Sequence, residues 1–300
     1  MSNTNTDYIV CIPSYKRSNI CNEKTLTMLK KNNIPSEKIY VYVANKEEYD
    51  EYIKILDKTY YYKLIIGKKG LVKQKQFIME SWKDGKHIVF FDDDVASVDL
   101  SLSPLFKKHN LDYFIKYAFK ECVKEHSYMW GVYAVFNPFF RKPKKEISKD
   151  LTFIVGAFYG IINRPKLNSI KLNITTKEND QKDDVERTIK YYIEDGIVLR
   201  FNKIGFITKY YGNEGGGMGK FENRIQNAKG SSERLKKKYP EYGNIKIRKN
   251  GMYEFSLNKN PHKKTNNVDD DDDDGINQVL NSTKKNNGSN KRNKTRKNRQ

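Results

Sequence analysis

Over its first hundred residues the chain alternates short β-branched runs with amphipathic stretches, and that alternation admits few folds. Tyr8-Ile9-Val10-Cys11-Ile12 reads as a strand stopped by Pro13. A helix is expected from about Glu23, capped by Asn22, with Leu26 and Leu29 on its inner face. Ile39–Val43 reads as a second strand. Asn45 then opens a helix with Glu48 three residues on, as in a capping box, and Tyr49, Tyr52, Ile53 and Leu56 inward. Lys63–Ile66 is a third strand, Leu71 to about Trp82 a third helix, and His87–Phe91 a fourth strand. Repetition of this kind builds a parallel sheet covered by helices, so the expected fold class is α/β. Ligands on such sheets sit beyond the carboxyl ends of the strands. That places Ser14–Arg17, Gly67–Gly70 and Asp92–Asp94 along one rim.

The aspartate triplet at the end of the fourth strand does not follow from packing. Like charges repel, and ionised acids are not buried unpaired. Alternation along a strand turns Asp92 and Asp94 to one face and Asp93 to the other. Two oxygen ligands on one face suit a hard divalent cation that also grips phosphate oxygens. A solvated acidic turn is the plain alternative, weakened by the convergence of three loops on one rim.

Farther along, an amphipathic helix is expected over about 105–123, with Phe106, Phe114, Ala118 and Cys122 facing the core. Strand-like segments follow at 128–136 and 151–162, separated by the basic run Arg141-Lys142-Pro143-Lys144-Lys145. A helix over about 184–192 precedes two runs, 197–201 and 204–209, that read as a hairpin pair. Glycines cluster at Gly212 and Gly215–Gly219, and a basic helical stretch covers 224–238. From 258 onward periodicity is lost among Asn, Lys, Ser and six consecutive aspartates, Asp269–Asp274, so 258–300 is expected to be a disordered, charged tail.

Among the 300 residues, 57 Lys/Arg stand against 37 Asp/Glu, a formal charge of +20. Residues 258–300 hold 11 Lys/Arg against 6 Asp, which leaves +15 on residues 1–257. The body of the chain is therefore basic without its tail, and polyanionic partners are expected. A Lys- and Asn-rich composition is the competing explanation. No apolar run approaches the roughly 20 residues that span a bilayer, so an intracellular protein without a membrane partner is expected. Three cysteines without zinc spacing fit a reducing compartment. The four N-x-S/T sequons starting at Asn173, Asn281, Asn287 and Asn293 carry little meaning there.

Taken in order, four motifs resemble a nucleotide-sugar glycosyltransferase of the GT-A type. Pro13-Ser14-Tyr15-Lys16-Arg17 looks like the opening segment that contacts the base of the nucleotide. Gly70-Leu71-Val72-Lys73-Gln74-Lys75-Gln76 is similar to the Gly-x-x-x-x-Arg-Asn element, with Lys75 and Gln76 in place of Arg and Asn. Lysine offers a point charge where arginine offers a planar fork. Asp92-Asp93-Asp94 matches the metal-binding DxD. Asp183-Asp184 with Arg187 looks like the acidic motif that supplies a base, Asp184 being the better-matched carboxylate. Within this class the motifs most resemble the TET-associated glycosyltransferases, which implies a hydroxymethylated base in DNA as acceptor.

The resemblance implies a GT-A-like Rossmann-type sheet with helices on both faces over 7–215, a basic extension over 216–257 and the tail over 258–300. It implies Asp94 and Asp92 as ligands of Mn²⁺ or Mg²⁺, with Asp92 also a contact for the sugar donor and Asp93 mainly supporting. Pro13, Ser14, Tyr15, Lys16, Arg17, Gly70, Lys73, Lys75 and Gln76 would contact a UDP-sugar or another nucleoside diphosphate sugar. Asp184 would be the general base, although a helix N-terminus also favours an acid for its dipole alone. The glycine loop at 215–219 could close over the diphosphate, and His262 could be a third ligand. His87, His109 and His126 read as packing or surface residues. Rival readings are transfer to a protein or glycan acceptor and, more distantly, a metal-dependent nuclease-like or nucleic-acid-binding protein.

Overall fold

In the computed structural model, which describes residues 7–172, 181–208, 221–259 and 261, twelve strands form three sheets. They are β1 Tyr8–Pro13, β2 Ile39–Val43, β3 Lys63–Ile66, β4 His87–Phe91, β5 Ser97–Asp99, β6 Met129–Val132, β7 Ile147–Ser148, β8 Phe158–Ile162, β9 Leu199–Phe201, β10 Gly205–Ile207, β11 Gly243–Ile247 and β12 Tyr253–Leu257. The main sheet has the order β3-β2-β1-β4-β8-β6-β9-β7. Its first four strands are parallel, while β8 runs antiparallel to both β4 and β6. All described residues lie in one unit, Met1–Lys264.

Strand alternation supplies two cores. Tyr8, Val10, Ile12, Val41, Val43, Val89 and Phe91 face one side, against Leu26, Leu29, Tyr52, Phe114 and Ala118. Ile9, Cys11, Tyr42, Ile88 and Phe90 face the other, against Ile78, Met79 and Tyr191. Helices therefore cover both faces, as the β–α alternation requires. No helix among the described residues is long and apolar enough to cross a membrane. The three cysteines are buried and unbridged. His87 stacks on Phe119 and His109 on Tyr113, with ring centroids 4.3 and 3.8 Å apart.

Several elements differ from expectation, each for a local reason. The first helix begins at Ser18, not Glu23, and runs through a π-helical stretch, Cys21–Leu26, to Lys31. Ser18 Oγ donates to Glu51 at 2.6 Å, which ties the earlier start to the helix Lys46–Ile55. Asn22 is no cap; its side chain accepts from the Asp57 backbone N–H. The helix expected from 105 spans Leu111–Lys124, because Asn110 caps it by accepting from Tyr113 N–H. The run 128–136 pairs only over β6. Of 151–162 only β8 is strand, since the Ile154 and Gly156 N–H groups donate to Thr188 and Asp184 side chains.

The runs expected as a hairpin enter different sheets: β9 lies between β6 and β7, and β10 pairs with β5. A hairpin does form at β11–β12, where it was not anticipated. Its sequence signal is Asn250-Gly251, with Gly251 at φ +81°. Together with the helix Phe221–Lys238 it packs on Val185 and Ile189 through Leu235, Tyr239 and Phe255. The glycine cluster 212–219, His262, the four sequons, Asp269–Asp274 and nearly all of the expected tail lie outside the described residues.

Candidate functional site

The chain moves outward from β1 through β2 to β3, then returns to add β4 on the other side of β1. Residues just beyond β1 and β4 thus flank the point where strand order reverses, the usual ligand position on an open α/β sheet. Parallel pairing of Cys11 with Phe90 sets the register, so Ser14 and Asp93 emerge side by side.

Polar bonds hold this junction. The Arg17 backbone N–H donates to the Tyr52 hydroxyl at 3.0 Å, and Tyr52 lies 2.7 Å from Ser14 Oγ. Ser14 Oγ in turn donates to Asp93 Oδ2 at 2.6 Å. Arg17 spans Asp93 and Asp94, with Nη1 at 3.3 and 3.4 Å from their oxygens. Thr25 is fully buried; its hydroxyl donates to the Asp92 carbonyl at 2.7 Å and accepts from Val95 N–H at 2.9 Å. The triplet is therefore a pinned turn. Burial pushes the Asp93 carboxyl up to about 6, with the Asp94 charge adding to the rise, against Ser14 and Arg17, which favour the ionised form.

The other two carboxylates face the rim. Asp94 accepts from Thr208 Oγ1 and Arg17. Asp92 is half-buried, and no side-chain hydrogen bond engages its carboxylate among the described residues. Burial pushes it up to about 7, helped by the charges of Asp94, Asp93 and Asp183 and opposed by Lys75. Two hard oxygen donors, Asp92 and Asp94, on the turn just beyond β4 fit a divalent cation, with Asp92 free of side-chain hydrogen bonds among the described residues. The described residues contain no set of three or more acidic, His or Cys side chains that would enclose an ion by themselves.

Across from the triplet, the helix Asp183–Asp195 presents two acids in different states. Asp183 lies 3.4 Å from Lys75 Nζ and 2.5 Å from Arg187 Nη2. Burial alone would raise its carboxyl, yet these cations hold it below the ordinary range. Asp184 is raised by burial and by the neighbouring Asp183 charge. Its oxygens accept from the Gly156 and Val185 N–H groups at 3.2 and 2.9 Å. Asp183 is thus a fixed anion, and Asp184 a carboxylate with enhanced proton affinity.

The remaining candidate residues are spread over the rim. Pro13 ends β1, and Gly70, at φ +99°, precedes the helix Leu71–Glu80. Lys75 is buried at 6% exposure, and its cation is spent between Asp183 and Asp92 instead of standing free for phosphate. Lys73 and Gln76 line an open groove with Lys68, Val72, Phe77 and Glu80, and Gln76 bonds Glu80. Lys16 and Lys69 hold their ammonium groups 5.5 and 5.7 Å from the Tyr15 ring. Arg141, expected in an exposed basic run, is fully buried and bonds Asp99 and the Lys203 carbonyl. Asp195 is held bidentately by Arg164, a structural pair.

No family model matches the sequence, and no curated protein matches it. Solved structures do. The TarS 1-349 structure from S. aureus superposes with a TM-score of 0.42 and 16% identity, over 67% of this chain and 59% of that one. GalNAc-T7 with UDP, GalNAc and Mn²⁺ gives 0.48 and 15%, over 80% and 50%. The mannosyltransferase PcManGT from Pyrobaculum calidifontis, with GDP-Man and Mn²⁺, gives 0.47 and 11%, over 78% and 64%. The chain therefore spans less than two thirds of each of these structures. The likeness is one of architecture.

Four positioning residues were not read from the sequence. Thr25 pins the triplet from a helix whose start was misplaced. Gln74 is buried, donating to the Val43 carbonyl and accepting from Lys68 N–H, so it fixes the loop after β3. Gly156 gives Asp184 its N–H, and a Cβ there would stand 3.3 Å from Asp184 and 3.4 Å from Lys75. The Tyr159 ring lies 4.3 Å from the Arg187 guanidinium. β8 is buried on both faces, so Tyr159, turned to the face opposite Phe158, reads in sequence as one more core aromatic.

Proposed function

We propose that the chain is a metal-dependent glycosyltransferase that moves a sugar from a nucleoside diphosphate sugar to a hydroxyl acceptor. The observation that carries the reading is the pairing of a pinned Asp92–Asp94 turn at the strand switch point with the Asp184 carboxylate, held by the Gly156 N–H. Asp94 and Asp92 would hold Mn²⁺ or Mg²⁺. When bound, such an ion stabilises the charge that develops on the leaving diphosphate. Tyr15 offers a ring face to the nucleotide base, with Lys16 and Lys69 beside it for phosphate.

In the transfer step an acceptor oxygen bonds to the anomeric carbon as the bond from that carbon to the diphosphate oxygen breaks. The electron pair leaves with the diphosphate, and the acceptor proton passes to Asp184. Attack opposite the leaving group inverts the anomeric centre. Asp183 stays ionised between Lys75 and Arg187, and its charge favours proton uptake by its neighbour.

We assign the acceptor to a hydroxymethylated base in DNA, within the TET-associated resemblance. The +15 carried by residues 1–257 supports a polyanionic acceptor. The test is a panel of hydroxymethylated DNA, unmodified DNA, protein and glycan acceptors with labelled sugar nucleotides. Label on hydroxymethylated DNA alone is the expected result. Label on protein or glycan only would overturn the acceptor assignment. Cleavage of DNA without sugar-nucleotide turnover would overturn the transferase reading itself.

A further inference from the structure

Phe139 is the most exposed large apolar side chain among the described residues, at 71%. Its exposure is not looseness. It sits on the short helix Pro138–Arg141, with Pro in the first turn and the Asn137 side chain accepting from Phe139 N–H at 3.0 Å. Phe140 meets it edge-on, centroids 5.1 Å apart, and Phe136 is also exposed at 38%. Single exposed apolar residues are ordinary. Phe136 and Phe139 are exposed and Phe140 half-buried beside them, so the capped turn leaves an apolar area facing solvent that burial would stabilise.

Arg141 anchors that turn. Its guanidinium is buried against the Lys203 carbonyl and Asp99, and it lies 5.4 Å from the Phe136 ring. A Cβ on Gly205 would fall 2.7 Å from it, so the fit requires glycine there. Asp99 and Gly205 are paired across the β5–β10 ribbon. The same ribbon runs on to Thr208, which bonds Asp94. Rigid structure thus joins the aromatic turn to the acidic end of the sheet.

The surrounding charge selects the partner. Lys142, Lys144 and Lys145 follow the turn directly. The nearby acids are engaged: Asp99 by Arg141, Glu146 by Ser103, and Asp150 by Lys145 and Thr152. Flat π-faces among cations match an unpaired nucleic-acid strand, which offers bases to stack and phosphates to pair. Duplex DNA hides its base faces, and an acidic peptide has none to offer.

We propose that Phe139, flanked by Phe136, Phe140, Lys142, Lys144 and Lys145, is a stacking platform for an unpaired base of the nucleic-acid acceptor. The platform would hold the acceptor strand on the ribbon that leads to Asp94. It rests on the nucleic-acid acceptor reading above.

The test measures anisotropy of fluorescein-labelled single-stranded oligo(dT), and of a duplex of equal length, with the full chain. Phe139→Ala should weaken single-strand binding about 5- to 160-fold, the range for one base–aromatic stack. It should affect the duplex much less, and Phe139→Trp should restore affinity. Lys142→Ala should make the salt dependence shallower by about 0.7, from one lost single-strand phosphate contact. Ile247→Ala, another exposed apolar position, should change nothing. Equal binding by Phe139→Ala and wild type would overturn the proposal, as would no wild-type binding to the strand. Sugar-nucleotide hydrolysis by wild type without nucleic acid is a separate readout. Absence of turnover with every hydroxyl acceptor of the panel above as well would sink the transferase reading and leave the binding result standing.

Discussion

Asp93 and Asp94 are chemical neighbours with opposite assignments, and substitution separates them. Asp93 accepts from Ser14 and Arg17 inside the fold, so Asp93→Ala removes two bonds from a buried junction. A loss of about 2–4 kcal/mol in urea unfolding is expected. Asp94 also accepts two bonds, from Thr208 and Arg17, so Asp94→Ala should cost about 1–2 kcal/mol while lowering sugar-nucleotide turnover at least about 100-fold. Thr25→Val keeps the shape but removes the hydroxyl that joins Asp92 O and Val95 N–H. It should cost about 1–2 kcal/mol and loosen the triplet, which a fall in turnover without loss of fold would register. The triplet stood out as a candidate in the sequence because packing alone could not explain three acids ending a strand. Thr25, Gln74 and Gly156 were not, because each acts through a contact distant in sequence that local pattern does not encode.

At the scale of elements, the helix Asp183–Asp195 joins the site to the C-terminal hairpin. Glu186 is almost fully buried and accepts from Arg234 at 2.6 Å, Lys238 at 2.8 Å and the Tyr239 hydroxyl at 3.1 Å. Burial alone would raise its carboxyl, and the two cations hold it below the ordinary glutamate range. A depressed folded value means its contribution is present above the unfolded value and lost as pH falls through the folded one. Glu186→Gln should therefore destabilise by about 1–3 kcal/mol at pH 7. The gap between the variant and wild-type urea midpoints should close as pH falls below the glutamate range. A gap independent of pH would show that the ionised form is not what binds the helix Phe221–Lys238.

The β–α alternation up to β4 was readable because each strand there pairs with a partner that the repeating pattern supplies. Past β4 the pattern fails. The 151–157 run has strand-like residues whose N–H groups are taken by side chains of a helix about thirty residues later. The 197–209 run splits between sheets because its first half pairs with β6 and β7 and its second half with β5. Asn250-Gly251 did announce a hairpin, and a lysine-rich context obscured it. Arg141 shows the same limit for charge: a basic run reads as surface, yet one of its cations is a buried anchor.

For the whole molecule, hydrogen bonds of Asn258 to the Tyr242 and Glu241 carbonyls close the last described strand. A chain ending at residue 264 should keep the wild-type urea midpoint within experimental error. Its DNA affinity should fall modestly, because +15 of the charge lies in residues 1–257. Unfolding on truncation would contradict this division.

Metal-dependent sugar transfer at the β1–β4 switch point would show in the mass of the acceptor. Full-length chain is incubated with a sugar nucleotide and hydroxymethylated DNA, with Mn²⁺ or EDTA, alongside unmodified DNA and Asp94→Ala. Wild type with Mn²⁺ should add one sugar mass per hydroxymethylated base, with none added in the other three arms. Equal sugar addition by Asp94→Ala, or undiminished addition in EDTA, would contradict metal-dependent transfer.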